Sequence, residues 1–118
     1  MAPADFADAL MEGLAPDGGL VVPEEIPVLT AAELDGLAGA AYPQVAAAVL
    51  SRFVGDGVTG LDEAAIAEVT RTAYGPDRFD HPDVVSLRSL DEGLVLYGLS
   101  HGPTLAFKDM ALQLIAGL

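Results

Sequence analysis

Apolar positions recur at helical spacing through the first part of the chain and at strand spacing through the last part. Phe6, Leu10 and Leu14 stand at i, i+4 and i+8, which places them on one face of a helix spanning residues 5–14. Pro16-Asp17-Gly18-Gly19 stops that helix, because proline cannot continue it and glycine supplies turn conformations. Leu20-Val21-Val22 is a short extended run ending at Pro23. Thr30 and Glu33 have the spacing of a capping box, which predicts a second helix running to about Leu37. Pro43 suits the first position of a third helix, whose apolar side is Val45, Val49, Leu50 and Phe53, and Gly55-Asp56-Gly57 ends it. Thr59 and Asp62 are start signals for a fourth, running from Leu61 to about Tyr74 with Leu61, Ala65, Val69 and Ala73 as core candidates.

After Gly75-Pro76 the period changes. Val84-Val85-Ser86-Leu87 and the run from Leu94 to Leu99 read as two strands joined by a hairpin turn at Asp91-Glu92-Gly93. Ser100 to Thr104 is a loop, and a last helix begins near Ala106, carrying Met110, Leu112, Leu114 and Ile115. The predicted class is α/β, or α+β for the chain taken alone. Residues 1–75 form a helical region, and residues 76–118 are two strands, a loop and a helix. Two strands make too small a sheet to stand alone, and the last helix is still apolar at Leu118. The second region is therefore expected to be the opening of a larger domain. Its apolar helix and open strand edges would seek a partner, either another copy or a missing half.

Composition narrows the function classes. Five basic residues against 18 acidic ones give a net charge of −13, which repels phosphate backbones and anionic lipid, so no nucleic-acid or membrane partner is expected. There is no cysteine, which excludes disulfides, zinc thiolates and thiol catalysis. No EF-hand or histidine-rich spacing points to a metal. The opening residues lack a basic region and a long apolar run, and no stretch of about 18 apolar residues follows, so neither a signal peptide nor a membrane span is expected. The expected setting is the cytoplasm.

One position breaks the acidic pattern. Lys108 is the sole lysine, with Arg52, Arg71, Arg78 and Arg88 the other basic residues, and it stands among apolar neighbours in Leu105-Ala106-Phe107-Lys108-Asp109-Met110. A lysine in surroundings that favour its neutral amine is a nucleophile, as an imine with an aldehyde cofactor requires. The same residue could instead lay its stem along the helix with the ammonium in water, paired with Asp109 or Glu12. Gly102 before it permits close backbone approach, and Pro103 sets the loop direction. Thr104 could donate to a carboxylate or a cofactor oxygen, and amides at the start of the last helix could face an anion. His101 fits equally a loop histidine bonded to backbone.

The string His101-Gly102-Pro103-Thr104-Leu105-Ala106-Phe107-Lys108-Asp109 resembles the cofactor-lysine motif of threonine synthases. The segment from Phe6 to Leu20 followed by Val22-Pro23 is similar to that family's opening, and His81-Pro82 and Val84-Val85 also fit. The resemblance implies a type II, tryptophan-synthase-β-like pyridoxal-phosphate fold. It implies conversion of the small molecule O-phospho-L-homoserine, with water, to L-threonine and phosphate, a carbon–oxygen lyase reaction of threonine biosynthesis. Lys108 would be both the catalytic residue and the attachment point of pyridoxal 5'-phosphate. Thr104, Asp109 and His101 would lie at the substrate, with Asp109 also helping to position the lysine helix. The phosphate-gripping Gly-rich loop and the partner of the pyridine nitrogen lie further along in the family, so this piece alone is expected to be inactive. Family members often carry Glu-Leu-Phe before the His-Gly, where this chain has Gly98-Leu99-Ser100. That change motivates an alternative, a threonine-synthase-like phospho-lyase on a related substrate. A second alternative is an interaction module without a cofactor.

Overall fold

The computed structural model describes residues 4–55, 58 and 60–118. Five helices and one hairpin follow in the order α1 (Phe6–Glu12), α2 (Ala31–Gly36), α3 (Tyr42–Val54), α4 (Glu63–Ala73), β1 (Ser86–Asp91), β2 (Leu94–Gly98) and α5 (Asp109–Ile115). Helices followed by a small antiparallel sheet agree with the expected mixed class.

The helix starts follow side-chain chemistry. Asp5 accepts the Asp8 amide at 2.8 Å, and Asp62 accepts the Ala65 amide at 2.8 Å. Thr30 and Glu33 form the predicted capping box: the Glu33 carboxylate accepts the Thr30 amide at 2.7 Å, and the Thr30 hydroxyl accepts the Glu33 amide at 3.3 Å. The Gln44 side chain accepts the Ala41 amide at 3.0 Å ahead of α3. The other start signal read for α4, Thr59, and the stop residues Asp56 and Gly57 lie outside the described residues. Helix α1 ends at Glu12 rather than Leu14, because Gly13 takes φ 73° and its amide closes on the Ala9 carbonyl at 3.1 Å. Leu14 is left exposed.

The inward face of α4 differs from the expected one. Ile66, Thr70 and Ala73 are buried, whereas Leu61, Ala65 and Val69 are half-buried. A pattern of apolar residues passes over Thr70, yet it is 1% exposed. Its hydroxyl donates to the Ile66 carbonyl at 2.9 Å, which satisfies the group inside the core and lets the methyl pack. On α3, Val54 is the buried residue, while Val49 and Phe53 remain about 40% exposed.

The main core joins both parts of the chain. Ala73, Tyr74, Phe79, Val84 and Val85 are buried together, with Tyr42, Ala46, Leu99, Met110 and Leu114 packed against them. Val84 and Val85 were expected to open the first strand. They turn inward ahead of it, with Val84 at φ 67° and its amide bonded to the His81 carbonyl at 2.9 Å. A β-branched residue in the left-handed region is strained, and burial at 4% exposure holds it there. The strand proper starts at Ser86, which pairs with Gly98, and the register runs to Asp91 opposite Leu94. An irregularity between Ser89 and Asp91 leaves Leu90 as the extra residue of a bulge. The turn expected at Asp91-Glu92-Gly93 is confined to Glu92-Gly93, with Asp91 the last residue of β1 and Gly93 at φ 74°.

Tyr42 and Tyr74 meet edge to face with ring centroids 4.9 Å apart. Burial pushes the Tyr42 hydroxyl up to about 12, with the charges of Tyr74 and Tyr97 adding to it, and burial also raises Tyr74. A phenol whose folded value lies above its unfolded value of 10.0 keeps its full contribution below pH 10. That contribution is lost as pH rises toward 12. Denaturant titrations are expected to show stability falling between those two pH values, and Tyr42→Phe is expected to flatten the fall.

Candidate lysine site

The loop from Leu99 to Lys108 carries His101, Thr104 and Lys108 of the motif, Asp109 opens α5 directly after it, and two clamps fix the loop. The first is at His101. Its Nδ1 lies 2.8 Å from Asp80 Oδ1 and its Nε2 lies 3.0 Å from Ser86 Oγ, while its backbone carbonyl accepts the Asp80 amide at 3.0 Å. A tautomer protonated at Nδ1 satisfies both ring contacts: Nδ1–H donates to the carboxylate and Nε2 accepts from the serine hydroxyl. His81 stacks near it, with centroids 4.8 Å apart.

The second clamp joins Thr104 and Asp109. One Asp109 carboxylate oxygen accepts the Thr104 amide at 2.8 Å, and the other accepts the Thr104 hydroxyl at 2.8 Å. Asp109 is 1% exposed, so the carboxylate expected at the substrate is turned inward onto the loop. A buried carboxylate needs such donors. Gly102 lies between the clamps and is itself buried. A Cβ at that position would run into the Asp109 side chain. The close approach expected of this glycine is therefore made by the carboxylate of the chain itself. Pro103 takes the second position of a turn closed by the Leu105 amide on the Gly102 carbonyl at 3.1 Å.

The last helix begins at Asp109, three residues later than expected. Leu105 sits at φ 60°, and the Thr104–Asp109 clamp draws the intervening residues into successive turns. The amides of Asp109, Met110 and Ala111 close on the carbonyls of Ala106, Phe107 and Lys108 at 3.0, 3.2 and 3.1 Å. The amides that open α5 where it actually starts are thus satisfied within the chain. Tyr74 secures the helix to the core by donating its hydroxyl to the Met110 carbonyl at 2.7 Å.

Lys108 stands at the boundary between these turns and α5. It is exposed. Among the described residues its ammonium forms no ion pair, whereas Arg52 pairs with Glu33 and Arg71 with Glu68. The pairing with Asp109 that sequence alone left open is excluded by the inward turn of that carboxylate onto Thr104. The structure thus brings His101, Thr104 and Asp109 together around the loop that ends in Lys108. It adds Asp80 and Ser86, which no spacing in the sequence linked to His101. Among the described residues no group of three or more metal-ligating side chains gathers, and no helix is long and apolar enough to cross a membrane.

The fold that carries this loop is shared with proteins of known structure. The structure superposes on a pyridoxal-phosphate-bound threonine synthase from Brucella melitensis with a TM-score of 0.82 and 43% identity, covering 96% of this chain and 23% of that one. It superposes on yeast threonine synthase with a TM-score of 0.78 and 28% identity, covering 95% of this chain and 22% of that one. A family model described as the threonine synthase N terminus matches residues 1–74. Threonine synthase of Corynebacterium glutamicum is 42% identical over 98% of this chain and 24% of its own length. That of Pseudomonas aeruginosa is 44% identical over 99% and 24%. The chain belongs to the threonine synthase family, and it spans about a quarter of the length of these relatives.

Proposed function

We propose that this chain is the lysine-bearing N-terminal part of a cytoplasmic, pyridoxal-phosphate-dependent threonine synthase. The whole enzyme converts O-phospho-L-homoserine and water to L-threonine and phosphate. The observation that carries this reading is Lys108, the sole lysine, exposed and without a carboxylate partner among the described residues at the end of a fixed loop. Attachment of an aldehyde cofactor needs a primary amine that is reachable and not held in an ion pair. Lys108 meets both conditions, so the residues present fit the group. When bound, the cofactor supplies an electron sink for charge that develops on the substrate.

The chain's own residues have separable tasks. Lys108 Nζ is the attachment point. As a free amine beside the bound substrate it would hold and move a proton in the steps that release phosphate from Cγ and add water at Cβ. Thr104 and Asp109 act by holding the turn before the lysine, since their polar groups satisfy each other. His101 anchors the start of the loop, with both ring nitrogens bonded within the chain.

The test is to add pyridoxal phosphate, reduce with borohydride and locate the adduct by mass spectrometry. The expected product carries the label on Lys108 at low cofactor excess. Equal labelling of Lys108 and the N-terminal amine would show that the loop gives this lysine no advantage, and would count against the reading.

A second reading, self-association, is favoured by one observation. Leu87, Leu94, Val95, Leu96 and Tyr97 of the hairpin are each more than half exposed. Light scattering of the purified chain is expected to report a dimer or larger species at high concentration. A monomer throughout would remove this reading.

A further inference from the structure

We propose that Asp80 and Ser86 are positioning residues for Lys108, acting through His101. The inference rests on the reading of Lys108 as the cofactor attachment point. Neither residue touches the lysine. Asp80 holds His101 twice, through the ring at 2.8 Å and through the backbone at 3.0 Å, and Ser86 holds the other ring nitrogen at 3.0 Å. Ser86 is the first residue of β1, and its hydroxyl lies over Gly98, the last residue of β2, where a Cβ would displace it. The histidine is thus tied to the hairpin on one side and to the segment after α4 on the other.

From His101 the constraint passes along the chain by contact. Gly102 is packed against the Asp109 side chain with no room for a Cβ, and Asp109 directly follows Lys108. Between β2 and α5 the backbone has no ladder of its own, so its placement depends on these few bonds. The Asp80 side chain is 71% exposed, so removing it leaves no cavity and deletes little beyond its hold on the loop. That exposure separates a positioning role from a general structural one. Loss of Asp80 should loosen the lysine segment while the core keeps its melting temperature.

The experiment compares Asp80→Ala and Asp80→Asn with the native full-length protein. Asparagine retains an oxygen that accepts from Nδ1–H, so it should restore what alanine loses. Two readouts are taken: amide hydrogen exchange across residues 101–108, and the rate at which pyridoxal phosphate becomes borohydride-trapped on Lys108. In Asp80→Ala, exchange is expected to quicken and trapping to slow by about three- to fivefold, the scale of one exposed charged contact. Asp80→Asn should stay within about twofold of native, and the melting temperatures of all three should coincide. Native behaviour of Asp80→Ala in both readouts overturns the inference, as does an asparagine variant no better than alanine. The absence of any Lys108 adduct in the native protein overturns the reading of Lys108 and this inference with it. An adduct that forms natively, at a rate Asp80→Ala leaves unchanged, overturns the positioning role alone.

Discussion

On the proposed function, Lys108→Ala in the full-length protein is expected to reduce threonine formation by about 10³-fold or more, the scale of losing a nucleophile that also moves protons. Labelling of the chain by pyridoxal phosphate and borohydride should then fall to the level of the N-terminal amine. The fold should survive, because Lys108 is exposed and makes no ion pair among the described residues. Unchanged melting therefore separates lost chemistry from lost structure. Lys108→Arg sharpens the comparison: it keeps a positive charge and a long stem, but a guanidinium is not deprotonated in proteins and cannot take the amine's place. Both variants should be equally inactive. Substantial turnover by either one would place the reacting amine elsewhere in the enzyme.

Gly102→Ala is expected to cost about 2–3 kcal/mol of stability, the upper range for forcing an extra methyl into a packed site. The new Cβ would meet the Asp109 side chain, its Cβ first and then its carboxylate; the residue is 1% exposed and cannot retreat without releasing the Thr104 amide and hydroxyl. Asp109→Ala alone should cost a similar amount, because it leaves the Thr104 amide without its acceptor. The informative measurement is the cycle of both changes. Alanine at 109 keeps the Cβ that lies nearest the new methyl, so only the part of the Gly102→Ala cost that comes from the carboxylate is relieved, and the double variant should be modestly more stable than the sum of the single losses predicts. Simple additivity in urea denaturation would show that the two residues do not meet in solution.

Much of this architecture follows from local chemistry, and that part was readable. The Thr30–Glu33 cap and the Glu92-Gly93 turn are contacts between residues three apart or fewer, so spacing alone discloses them. Lys108 stood out because it is the only lysine in an acidic chain. What the sequence hid depends on contacts across distance or on side chains acting against type. Thr70 enters the core by bonding back to its own helix, which an apolar pattern does not register. The late start of α5 is set by a side chain reaching five residues back to Thr104, and by Leu105 in a conformation leucine rarely takes. Val84 and Val85 read as strand because of their type, yet they serve the core ahead of the strand. The Asp80–His101–Ser86 link joins residues 21 and 15 positions apart, and only the fold brings them together.

The Tyr74 hydroxyl bonds to the carbonyl of Met110, two residues past the lysine, while its ring packs with Tyr42 and Phe79. The placement of α5, and with it of the Lys108 backbone, is therefore coupled to an aromatic cluster of the core. Repacking that cluster would slide α5 and carry Lys108 with it.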